Sequence, residues 1–135
     1  MQIRLLTLLV LLLNTQIVAA KSMQRERAEA ILSKKCMDCH SDQTVYPWYA
    51  QLPIVQSVIQ ADIDKGKKYF HLEKELFAIE DDKDLPKYIF ARLTDVIKND
   101  SMPPIQYRVA HWDKVLTKQD KQALTEWLDQ YSVTA

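Results

Sequence analysis

Cys36-Met37-Asp38-Cys39-His40 is the stretch from which the rest of the chain is read. Two thiols separated by two residues can each add to one vinyl group of a haem, and the imidazole that follows is then held under the iron as an axial ligand. The same string can also bind zinc or act as a thiol redox pair. Zinc asks for a fourth ligand and a better-defined second ligand pair than the isolated His71 and His111 supply. A thioredoxin-like site expects strands alternating with helices, and no convincing strand pattern occurs here. The expected cofactor is therefore one haem c, covalently attached through Cys36 and Cys39, with His40 as a metal ligand.

Upstream of the motif, Ser22 to Lys35 reads as a helix. Ser22 is a cap residue, Ala28, Ala30, Ile31 and Leu32 form an apolar side, and Lys34 and Lys35 complement the negative end of the dipole. Downstream, Ser41-Asp42-Gln43-Thr44 is turn-like, and Tyr46-Pro47-Trp48-Tyr49 is an aromatic cluster fixed by proline. Pro53 suits the first turn of a helix to about Lys65, which Gly66 would close as a left-handed residue. A further helix is expected from Tyr69 to Asp81, with a boundary in Glu80-Asp81-Asp82 and Asp84. Pro86 then begins another, to about Asn99, whose Ile89, Leu93, Val96 and Ile97 make an apolar stripe. Ser101-Met102-Pro103-Pro104 forces the backbone out of helix. The last helix starts at Thr117 with Asp120 in a capping-box position and buries Leu124, Trp127, Leu128 and Tyr131. The expected fold is a small all-α helical domain enclosing one haem.

With 135 residues the chain has room for one domain. Residues 1–20 read as a secretory signal: Arg4 gives the positive start, Leu5 to Leu13 the apolar core, and Val18-Ala19-Ala20 the small residues before a cut. The alternative is a retained membrane anchor, but Asn14, Thr15 and Gln16 interrupt the run short of the roughly 20 apolar residues a span needs. The domain would then occupy residues 21–135, exported or periplasmic, with no transmembrane span once the signal is cut. Losing Arg4 from 18 basic residues against 18 acidic ones leaves a net charge of −1, which supplies no positive field for nucleic acid. A disulfide between Cys36 and Cys39 would close too short a loop to stabilise much.

The second axial ligand separates electron transfer from chemistry at the iron. Met102, in its proline-stiffened loop, is the leading candidate, and a thioether there closes the iron and raises its potential. A methionine can also be a core filler. His111 is the competitor and His71 a distant third, both read more simply as solvent-facing. The other ring nitrogen of His40 should donate to a backbone carbonyl, with Pro47 to Pro53 a possible source. Trp48 and Tyr49 are candidate haem-packing residues, and the Trp48 indole or a tyrosine hydroxyl a candidate donor to a propionate. Lysines at 34, 35, 65, 67 and 68 offer either steering of an acidic redox partner or a solvated face.

These residues, with Asp62-Ile63-x-x-Gly66-Lys67, Met102-Pro103-Pro104-x-x-Tyr107, His111, Leu116 and Trp127, resemble the bacterial cytochrome c-like haem-binding domain family over roughly residues 27–131. The resemblance implies a c-type haem on Cys36 and Cys39, with His40 proximal and Met102 distal. The run Lys67-Lys68-Tyr69-Phe70-His71-Leu72 departs from the Asn-Phe-Ser type segment that members often carry after the glycine. The expected function is a monohaem cytochrome passing single electrons to and from a redox partner protein. No general acid, base or nucleophile stands out, so an enzyme is not expected. The alternatives are a haem enzyme or gas sensor with an open distal site, peroxidase-like, and a haem-bearing module of a larger complex.

Overall fold

The computed structural model describes residues 2–78 and 85–132. Among these the fold is all-α, with no strand: α1 Gln2–His40, α2 Pro53–Tyr69, α3 Lys87–Asn99, α4 Ile105–Ala110 and α5 Lys118–Ser132. Short 3-10 turns at Trp48–Gln51 and Trp112–Lys114 join them.

The helix expected to begin at Ser22 instead begins at Gln2 and runs through the Cys-x-x-Cys-His motif. No glycine or proline precedes Pro47, so nothing in the chain breaks it. Ser22 is consequently not a cap; its hydroxyl donates back to the Ala19 carbonyl at 2.8 Å. The span Leu6–His40 holds a stretch long and apolar enough to cross a membrane, as export signals and anchors both are, and its apolar residues from Leu6 to Val18 lie exposed. The helix stops just past the motif, where the side chains of Ser41 and Thr44 satisfy carbonyls of its last turn, on Met37 at 2.8 Å and Asp38 at 2.9 Å.

Pro53 opens α2 as expected, but Gly66 does not close it. The helix continues to Tyr69, and no glycine has a positive φ. Gly66 serves a contact instead: a Cβ there would lie 2.3 Å from the Cys39 carbonyl oxygen. The chain's single glycine thus sits where α2 crosses the haem motif of α1. The left-handed residue is Asp100 (φ 52°), at the end of α3, in a conformation that Asp tolerates better than most side chains.

The expected helix from Tyr69 to Asp81 is replaced by extended backbone at Phe70 (φ −163°) and one wide turn, Leu72–Leu76, closed by the Phe77 N–H on the Leu72 carbonyl. Ile79 and the acidic run Glu80-Asp81-Asp82 and Asp84 lie outside the described residues. The core joins Ala28 and Leu32 of α1, Phe70, Leu72 and Leu76 of the connection, Ile89 and Leu93 of α3, and Leu124, Trp127 and Leu128 of α5. Tyr131 packs on its edge, half-buried. The α5 capping box forms in both directions, Thr117 N–H to Asp120 at 2.9 Å and Asp120 N–H to Thr117 Oγ1 at 3.1 Å.

Candidate functional site

Because α1 carries the motif to its end, Cys36, Cys39 and His40 face the inside of the domain and line one cleft. The cleft is about 460 Å³ including its open mouth, and Met102, Val96 and Leu116 line it too. Two thiols, an imidazole and a thioether therefore share one mainly apolar space. That donor set suits haem: thiols for its vinyl groups, nitrogen and sulfur for its iron, and hydrocarbon walls for its ring.

His40 is 7% exposed, and its ring stacks on Phe70 at 4.3 Å between centroids. Nδ1 lies 3.0 Å from the Phe70 carbonyl oxygen. A carbonyl only accepts, so Nδ1 carries the proton and Nε2 keeps its lone pair for a metal. Burial pushes the imidazole pKa below its ordinary value, against the opposite pull of the Phe70 and Gly66 carbonyls, so the ligand form is favoured. The expected carbonyl partner is thus present, but it comes from Phe70 rather than from Pro47 to Pro53. A backbone acceptor 30 residues away has no side-chain signature to read.

Both cysteines are free. Burial, then the neighbouring Cys39, pushes the Cys36 thiol up to about 12; burial, then Asp38, pushes Cys39 up to about 11. Thiols so far from ionising are poor redox nucleophiles, which counts against the thiol-pair reading. Among the described residues the converging group of three metal-ligand side chains is Asp42, His71 and Glu73, and it contains no cysteine.

The other expected residues divide. Tyr49 lines a second cleft, about 380 Å³, which shares Asp38, Cys39 and Tyr107 with the first. Trp48 is 82% exposed, stacks edge-on against Tyr49, and lines neither cleft. His111 also lines neither; its Nε2 bonds the Tyr49 hydroxyl and its ring stacks on Tyr107 at 4.2 Å. His71, expected to face solvent, is buried at 8% exposure, with Nε2 3.1 Å from Asp42 and Nδ1 3.5 Å from Glu73. Lys35 is not a steering charge: its side chain is 9% exposed and its Nζ donates to the Asp113 and Val115 carbonyls. Lys67 pairs with Asp42 at 2.8 Å.

Asp38 carries the feature that sequence reasoning missed. From between the two cysteines its Oδ2 accepts from the Tyr107 hydroxyl and from Lys114 Nζ, each at 2.7 Å. Burial, then the Asp38 carboxylate, raises the Tyr107 pKa, so the phenol keeps the proton it donates.

Comparison with known proteins agrees with the chemistry of the cleft. The sequence matches the haem-binding domain family over residues 11–130. It is similar to cytochrome c peroxidase Ccp of Escherichia coli (strain K12), 26% identical over 95 residues, which are 70% of this chain. Those residues span 20% of that much longer relative. No solved structure matches. With nearly the whole chain matched and a haem-suited donor set in one cleft, the chain belongs to the haem-binding domain family.

Proposed function

We propose that this chain is an exported c-type cytochrome. It holds one haem through thioether bonds from Cys36 and Cys39, with His40 Nε2 and the Met102 sulfur as axial ligands, and passes single electrons between partner proteins. The observation that carries this reading is the convergence of those four side chains on one cleft. The bound haem would supply an iron that alternates between ferrous and ferric states. His40 enters the exchange already oriented, since the Phe70 carbonyl fixes its tautomer and Phe70 its ring plane. Val96 and Leu116 line the cleft with hydrocarbon, and an apolar surrounding favours the less charged state of an iron held there. The apolar Leu6 to Val18 segment, near the N-terminus, supports export.

The similarity to a cytochrome c peroxidase favours a second reading, in which the distal position is open to peroxide. Met102 in the cleft favours the first. The test is the optical spectrum of haem-loaded protein. The first reading requires a weak far-red ferric band from the thioether and ferrous protein that resists carbon monoxide. Met102→Ala should abolish the band and admit carbon monoxide. Ready binding by the wild type would instead support the open-site reading.

A further inference from the structure

The segment that carries Met102 has little packing to hold it. Helix α4 has six residues and none of them is buried. Ile105 and Val109, the apolar residues that would ordinarily anchor such a helix, are 72% and 81% exposed. Arg108 ties the segment to itself, its Nε donating to the Pro103 carbonyl at 2.5 Å and its other nitrogen to the Asp100 carbonyl. Gln106 reaches Asp62 of α2 over a long, exposed 3.4 Å. The short tie to the motif helix is the Tyr107 hydroxyl on Asp38, part-buried at 2.7 Å.

Asp38 is itself well fixed. It sits inside α1 between the two thiols, its carbonyl takes the Thr44 hydroxyl, and its carboxylate also takes Lys114 Nζ. Lys114 in turn donates to the Lys34 carbonyl at 3.0 Å, so the far end of the bond rests on α1 twice. From Tyr107 back to Met102 the chain passes two prolines, whose fixed φ angles carry the placement of the phenol to the sulfur with little slack.

We infer that Tyr107 and Asp38 are positioning residues for the distal ligand: their hydrogen bond sets the register of the Met102 segment against the helix that carries the thiols and His40. This inference rests on Met102 ligation as proposed above. A hydrogen bond to a carboxylate is stronger than one between neutral groups. Its loss should release the sulfur in a substantial fraction of molecules without freeing the haem, which the thioethers retain.

The experiment uses full-length, haem-loaded protein and three variants. Tyr107→Phe removes the donor and keeps the ring that stacks on His111. Asp38→Asn keeps an acceptor oxygen, and Asp38→Ala removes it. Haem per chain is measured first, then the ferric far-red band and the carbon monoxide affinity of the ferrous form. Tyr107→Phe and Asp38→Ala should hold wild-type haem, lose much of the band, and bind carbon monoxide about tenfold more tightly. Asp38→Asn, which keeps a weaker, neutral acceptor, should fall between Asp38→Ala and wild type. If Tyr107→Phe fails to load haem, the contrast between Asp38→Asn and Asp38→Ala decides the same point. A full band and wild-type carbon monoxide resistance in Tyr107→Phe and Asp38→Ala would overturn this inference alone. A wild type without the band would overturn Met102 ligation and this inference together.

Discussion

The two walls of the cleft are built by different physics. On the His40 side, α1 and α2 cross at a backbone contact only glycine permits, Phe70 is 3% exposed, and the ligand ring is stacked and hydrogen-bonded. On the Met102 side a six-residue helix has no fully buried residue and is tied down mainly by polar bonds. The first wall is inseparable from the fold, so a change there should be felt as lost stability. The second is attached to the fold, so a change there should be felt at the ligand while the protein stays folded. On the proposed function, that division would let one face hold the iron firmly while the other sets its potential.

Gly66→Ala should strike the His40 wall hardest. Alanine gains up to about 1 kcal/mol of helix propensity over glycine. Its Cβ would press on the backbone carbonyl of Cys39 at 2.3 Å, and neither helix can yield easily. Overpacking of that kind costs about 1–3 kcal/mol, and a backbone clash belongs at the upper end or beyond it. We expect a net loss of about 2 kcal/mol or more in denaturant unfolding of the haem-loaded protein. A neutral result would remove the crossing from the account.

A smaller effect should appear in acid, at the ion pairs just beyond His40. The ion pair with Lys67, then Lys74 and His71, holds the Asp42 carboxyl well below the usual carboxylate range. A group depressed in the folded state stabilises it fully above its unfolded pKa of about 4 and loses that contribution as pH falls toward the folded value. Thermal melts between pH 7 and pH 3 at low salt should therefore fall more steeply for wild type than for Asp42→Asn. Asp42 is 55% exposed, so salt should shrink the difference. Least of all should Val109→Ala on the Met102 wall matter: at 81% exposure we expect stability within about 0.5 kcal/mol of wild type.

Local signals explain what the sequence made legible. Pro53 at a helix start, the Ile89 and Leu93 stripe, and the Thr117 and Asp120 capping box all depend on neighbours a few residues apart, and each has its expected place; the Cys-x-x-Cys-His string is as local, and its three side chains line one cleft. The features that were not legible depend on residues brought together from far along the chain. Gly66 fitted a local rule for helix ends, yet its reason is a carbonyl on another helix. The acceptor for His40 is a main-chain oxygen, which any residue could supply. Lys35 looked like a solvated charge because nothing nearby shows that carbonyls from residues 113 and 115 await its ammonium. His71 similarly gained Asp42 as a neighbour only through the fold. The unbroken α1 was legible, from the lack of glycine and proline before Pro47, and the better-known pattern of a signal followed by a new helix masked it.

The proposed covalent attachment of haem through Cys36 and Cys39 is tested most directly by a pyridine haemochrome measurement on protein matured through an export route, before and after extraction with acid acetone. One haem per chain should stay with the polypeptide in the wild type and be absent from the retained fraction when Cys36 and Cys39 are both changed to alanine. Colourless wild-type protein, or pigment that leaves with the solvent, would contradict it.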